Sequence, residues 1–74
     1  MKIKVENTYS DGHESTVVCD VDEATLPLGD EDALWDELWT YTGDGHGGNL
    51  DAIYEVTILE AADPALVGLS REFG

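Results

Sequence analysis

The sequence predicts a small α+β domain: an antiparallel sheet of three to four strands, in the order 2-1-3-4, with one amphipathic helix on one face. Three observations carry this. Residues Lys2–Tyr9 and Glu14–Val21 alternate apolar and polar about a Ser10-Asp11-Gly12 turn, the pattern of a half-buried hairpin. Apolar residues then recur at helical spacing through Leu34, Trp35, Leu38 and Trp39, between Asp30 and Gly43. Alternation returns in Ala52–Ala61. Seventy-four residues make one domain, 1–74, and leave a thin margin of stability, since so short a chain buries only ~60% of its unfolded surface.

In the first strand Ile3, Val5, Asn7 and Tyr9 point inward, and Lys2, Lys4, Glu6 and Thr8 outward. Ser10-Asp11-Gly12 reads as a three-residue hairpin loop, a type I turn closed by Gly12 in the left-handed position. It pairs Tyr9 with His13, Asn7 with Ser15, Val5 with Val17 and Ile3 with Cys19, so apolar residues meet across the ladder. A two-residue Asp11-Gly12 turn would set Ile3 against Asp20 instead. The second strand, Glu14–Val21, turns Val17, Cys19 and Val21 inward and sets Asp20 opposite Lys2 on the outer face.

Asp22–Gly29 is a connector broken by Pro27 and Gly29, with Leu26 and Leu28 folding back over one end of the core. Asp30 is the N-cap of the helix, its carboxylate accepting free N–H groups of the first turn. Glu31 and Asp32 follow where negative charge suits the helix dipole. Leu34, Trp35, Leu38 and Trp39, extended by Tyr41 or Thr42, form one apolar stripe; Asp36 and Glu37 lie opposite with Ala33 and Thr40. Gly43 is the expected stop, giving a helix ~18–20 Å long. Strand 3 follows the loop Gly43–Asp51, with Tyr54, Val56 and Ile58 on one face and Glu55, Thr57 and Leu59 on the other. Asp63-Pro64 opens a single helical turn that Gly68 ends, and Leu69–Phe73 alternates as a short edge strand. The outer face of the sheet stays wet, with Lys2, Lys4, Glu6, Glu55 and Thr57.

Charge is the strongest global signal. Seventeen acids against three bases give a formal net charge of −14. Such a chain is repelled by nucleic acid and by anionic membranes and attracted to basic surfaces; the same acidity also serves solubility. The single Cys19 excludes an intramolecular disulfide framework and suits a reducing, cytoplasmic setting. No apolar run is long enough to span a membrane, and the N-terminal residues enter a strand pattern directly, with no signal-peptide architecture.

Motifs of catalysis or metal binding are weak. Asp-Gly-His occurs at Asp11–His13, the hairpin tip, and at Asp44–His46, within a loop of four glycines in six residues. That loop lacks the Gly-Lys-Ser/Thr end of a phosphate loop and follows a helix where a dinucleotide fingerprint opens one. His13, His46 and Cys19 are capable ligands, but no Cys-Cys or His-x-x-x-His spacing joins them. Asp20 and Asp22 with Glu31 resemble a calcium loop, yet Thr25 stands where glycine is needed and Pro27 interrupts. Asp44, Asn49 and Asp51 are a second weak oxygen cluster. No serine or cysteine is plainly paired with histidine, so the expectation is a non-enzymatic protein with no catalytic residue, no metal site and no cofactor.

Binding is the expected activity. Asp22, Glu23, Asp30, Glu31, Asp32, Asp36 and Glu37 form an acidic face in a segment with no base. Trp39, Asp44, His46 and Asn49 supply shape beside it. Apolar-face packing predicts that both indoles, Trp35 and Trp39, pack inward; the alternative is that one sits at the helix margin as an interface anchor. The partner expected is a basic protein, not nucleic acid and not a membrane, with the chain itself a monomer or homodimer. Two alternatives remain: a nucleic-acid mimic, whose carboxylates take the place of phosphates in another protein's groove, and a structural or oligomerising protein using a free sheet edge or the Ala65–Leu69 apolar patch.

The stretches Glu37–Gly47 (ELWTYTGDGHG) and Ala61–Phe73 (AADPALVGLSREF) resemble short acidic accessory proteins of actinobacterial bacteriophages. Those proteins share a Trp-bearing helix running into TGDGHG, then an acidic-Pro-x-Leu-Val-Gly segment and a Glu-aromatic tail. The resemblance covers about half of the chain. It implies a phage origin, a site of action in the bacterial cytoplasm and an accessory or host-directed role, and it carries no catalytic residue.

Overall fold

The computed structural model describes residues 1–27, 29–43 and 51–74. Strand β1 is Lys2–Tyr9, β2 Glu14–Asp20, β3 Ala52–Glu60 and β4 Ser70–Phe73; helix α1 is Glu31–Trp39, preceded by a single 3-10 turn at Glu23–Thr25. The sheet is four-stranded and antiparallel, in the order β2-β1-β3-β4. The small α+β architecture and strand order expected from the sequence are therefore those of the protein.

The hairpin register is the one the three-residue loop requires. Val5 lies opposite Val17, Ile3 opposite Cys19 and Lys2 opposite Asp20. Gly12 has φ +89° and its N–H returns to Tyr9 O at 3.0 Å, while Tyr9 N–H donates to His13 O at 2.9 Å. That is a type I turn with a left-handed glycine bulge, a conformation an L side chain resists.

Ile3 and Val5 of β1, Val56 and Ile58 of β3, Val21, and Leu34, Trp35 and Leu38 of α1 make one buried cluster. Each large apolar side chain so buried contributes about 1.5–3 kcal/mol. Leu26 packs against this core as expected; Leu28 lies outside the described residues. Helix α1 shares this core with β1 and β3 and reaches β4 through Trp35. The ring of Trp35 is 6.4 Å from that of Phe73 and 5.4 Å from the Arg71 guanidinium carbon, both on the inner face of β4.

Five details correct the sequence reading. Helix α1 has nine residues and is about 13 Å long, ending at Trp39 and not at Gly43. The N–H groups of Thr40, Tyr41 and Thr42 bond three residues back, to Glu37, Leu38 and Trp39, and the Thr40 and Thr42 hydroxyls bond Glu37 O and Trp39 O at 2.7 Å. These short-range bonds tighten the last turn out of α-helical register. Gly43 does take a left-handed conformation, with φ +83°, three residues beyond the helix cap Thr40. The apolar stripe is correspondingly narrower: Leu34, Trp35 and Leu38 are buried, whereas Trp39 is 53% exposed and Tyr41 is exposed.

The connector, expected to be irregular, contains the Glu23–Thr25 turn, capped by Asp22, whose carboxylate accepts Ala24 N–H at 3.0 Å. Finally, β2 ends at Asp20 and β3 at Glu60, each one residue sooner than expected. Val21 nonetheless stays in the ladder, its N–H bonded to Met1 O at 2.7 Å. Asp63-Pro64 and Gly68 shape a turn and not a helix, with Leu66 N–H on Asp63 O and Gly68 at φ +90°.

Candidate functional site

The seven acids expected to form one face divide into two groups once their partners are known. Four serve the fold. Asp22 caps the 3-10 turn. Asp30 caps α1, accepting Ala33 N–H at 3.2 Å, a contact worth about 1 kcal/mol. Glu31 accepts from the Trp35 indole N–H at 3.4 Å, satisfying the polar atom of the largest buried side chain.

Glu23 is the most committed of the four. Its carboxylate lies 3.1 Å from the Met1 ammonium and accepts Ala62 N–H at 3.1 Å, so one side chain ties the start of β1 to the segment after β3. The bond to the ammonium, reinforced by the Ala62 N–H, holds its carboxyl below the ordinary carboxylate range. The two groups are far apart in sequence and meet at the open end of the hairpin, where Met1 also bonds Val21.

The second group is Asp32, Asp36 and Glu37, all exposed on α1. Asp32 is 92% exposed and 3.7 Å from Arg71, a distance and exposure at which an ion pair contributes little. Among the described residues the carboxylates of Asp36 and Glu37 have no hydrogen-bond or ion-pair partner. Trp39 stands one helical turn from Asp36 and two from Asp32, on the same flank of α1. The candidate site is therefore a half-exposed indole beside the unpartnered carboxylate of Asp36, with Asp32 one turn further back; Glu37, two residues from Trp39, projects from the other side of the helix. Trp35, the next aromatic round the helix, is buried, with Phe73 and Arg71 against its ring.

Two of the three basic side chains are engaged elsewhere. Lys2 pairs with Glu60 at 2.9 Å, which raises its pKa, and Lys4 pairs with Glu6 at 3.1 Å, both on the outer face of the sheet. Arg71 stacks over Trp35. None of the three pairs with Asp36 or Glu37; Arg71 reaches this flank only at Asp32.

Asp44, His46 and Asn49, the other expected site residues, lie outside the described residues. The positions that bracket them do not. Gly43 N–H bonds the Asn7 side-chain oxygen at 2.9 Å, and Asp51 O accepts Ser10 N–H at 2.9 Å. Gly43 and Asp51 are thus both fastened to the hairpin end of β1. Beside Asp51 is a cavity of about 460 Å³, lined by Thr8, Tyr9, Ser10 and Ile53 among others. Its walls are largely apolar with a few hydroxyls. Among the described residues no group of three histidine, cysteine or acidic side chains could hold a metal ion, and no helix is long and apolar enough to cross a membrane.

No protein-family model, no curated protein and no solved structure matches this chain.

Proposed function

We infer that this protein acts by binding, with the Trp39 flank of α1 as the contact surface and a basic face of another protein as the partner. The observation that carries this reading is the placing of an indole 53% exposed one helical turn from the unpartnered carboxylate of Asp36, with Glu37 adding negative charge on the neighbouring side of the helix. Tryptophan is the residue most enriched at interface hot spots, because it buries a large apolar area at small entropic cost. Fixed negative charge around it speeds encounter with a basic surface and rejects acidic ones. Neither group needs to move: Trp35 below and the Asp30 cap hold the helix in place.

The resemblance to actinobacterial phage proteins supports a host or phage protein as that partner, met in the bacterial cytoplasm. No catalytic step is part of this reading. The test is affinity capture from an actinobacterial lysate at low salt, with Asp36→Asn/Glu37→Gln/Trp39→Ala as the control. The expected result is a basic protein retained by the wild-type chain, released by salt and absent from the control. Equal capture by both chains would remove the assignment. A captured protein that binds DNA or RNA, and is displaced by it, would identify the chain as a nucleic-acid mimic.

A further inference from the structure

Among the described residues no strand pairs with the outer side of β2, and its backbone directions are fixed by bonds at both of its ends. At the hairpin Tyr9 N–H donates to His13 O. At the far end Val21 N–H donates to Met1 O at 2.7 Å and the Met1 ammonium donates to Val21 O at 2.8 Å. Hydrogen-bonded pairs of an antiparallel ladder recur at every second residue. Ser15, Val17 and Cys19 therefore bond β1, whereas Glu14, Thr16, Val18 and Asp20 turn their N–H and C=O groups to the free edge.

This edge lacks the usual protections. It contains no proline and no lysine, and its register with β1 runs unbroken from Lys2↔Asp20 to Thr8↔Glu14. None of its seven residues is buried; Val18 is 55% and Val17 38% exposed. Its charge decides what can pair with it. Glu14 and Asp20 stand at its two ends on the outer face, with Thr16 and Val18 between them. A second copy, in the two-fold register that uses all seven residues, would set Glu14 against Asp20 at both ends and join two chains of net charge −14.

We propose that β2 receives an extended, lysine- or arginine-bearing segment of another protein as a fifth, antiparallel strand. On the outer face that segment carries a basic residue opposite Asp20, β-branched residues opposite Val18 and Thr16, and a second basic residue opposite Glu14. Its pattern is basic-x-β-x-β-x-basic, where β is valine, isoleucine or threonine. Backbone bonds to the four outward residues supply affinity, and the two end charges supply specificity. This edge is separate from the Trp39 flank and does not depend on it.

The probe is a capped heptapeptide, Lys-Thr-Val-Val-Thr-Thr-Lys, titrated into the isotope-labelled protein while amide exchange is followed residue by residue. The amides of Thr16 and Val18 are expected to exchange about tenfold more slowly with peptide bound, those of Val17 and Cys19 to change little. Two variants should abolish the effect: the peptide N-methylated at its edge-bonding positions, and Thr16→Pro, which removes an outward N–H that β1 does not use. The chain with Asp36→Asn/Glu37→Gln/Trp39→Ala should retain it, which separates this proposal from the helix site. Unchanged exchange at millimolar peptide, equal protection by the N-methylated peptide, or protection that rises with protein concentration alone would each overturn it.

Discussion

The side-chain oxygen of Asn7 accepts the backbone N–H of Gly43 at 2.9 Å, across 36 residues of chain. Asn7 is 1% exposed and is the one buried polar residue of the described core. Its amide nitrogen donates to the Ser15 hydroxyl at 3.2 Å, so both ends of the amide are used. The orientation is forced, since a backbone N–H can only donate. This side chain joins the hairpin to the exit of α1 and so helps to set the helix on the sheet. Asn7→Leu keeps the apolar pattern of β1 but leaves the Gly43 N–H without its acceptor. The expected loss is about 1–3 kcal/mol in denaturant unfolding, the penalty of an unmade buried bond. An unchanged midpoint would show that water replaces the amide.

Glu23 gives the molecule an acid-sensitive joint. Its folded-state pKa lies below the unfolded value of 4.5, because the Met1 ammonium and Ala62 N–H favour the carboxylate. The stabilisation is therefore present above about pH 4.5 and is lost as pH falls through the lower folded value. Glu23→Gln should lower the thermal midpoint at neutral pH and flatten its fall between pH 5 and pH 3, roughly the window of carboxylate titration. Parallel acid limbs for the two chains would contradict this.

Glu6, Glu55 and Glu72 lie directly opposite one another on β1, β3 and β4. Lys4 offsets the first at 3.1 Å; among the described residues Glu55 and Glu72 have no ion partner. Like charges directly opposite in a ladder destabilise it. Glu55→Lys places a cation between two anions and should raise stability by roughly 1 kcal/mol, with the gain shrinking in high salt. A lower melting temperature would mean that the carboxylate row is offset by contacts of another kind.

The two tryptophans should separate cleanly. Trp35 is 2% exposed, and Trp35→Ala should cost about 3–5 kcal/mol of stability. Trp39→Ala should change stability by less than about 1 kcal/mol and leave the far-UV circular dichroism unaltered. Emission quenching by iodide should reach Trp39 and spare Trp35, an assignment that single Trp→Phe variants would check.

Most of the fold was legible because it is encoded locally. The Ser10-Asp11-Gly12 turn and the apolar alternation on either side of it admit one register without placing Asp20 opposite Ile3, and that register sets the sheet. Asp30 marks the helix start by chemistry that needs no tertiary contact. The helix end was not legible: Gly43 looks like a stop, but the Thr40 and Thr42 hydroxyls, bonding back to the main chain, end the helix sooner. Trp39 was expected to pack inward because its spacing continues the stripe, yet it is the last residue of α1 and stands at the margin of the face that Leu34, Trp35 and Leu38 bury. The sorting of acids into structural and free was hidden for a different reason. Glu23 and Glu31 are indistinguishable from Asp36 and Glu37 by type or neighbourhood; only the arrival of Met1 and Trp35 beside them assigns their roles.

Binding at the Trp39 flank is measured most directly with the captured basic protein, purified and titrated at low and physiological salt against three chains: wild type, Trp39→Ala, and Asp36→Asn/Glu37→Gln. Trp39→Ala should weaken binding by about 2 kcal/mol or more at both salt concentrations, as a hot-spot indole does. The charge variant should weaken it chiefly at low salt and show a shallower salt dependence than wild type. Affinities equal across the three chains, or a salt dependence that survives intact in the charge variant, would contradict the assignment of this flank as the binding surface.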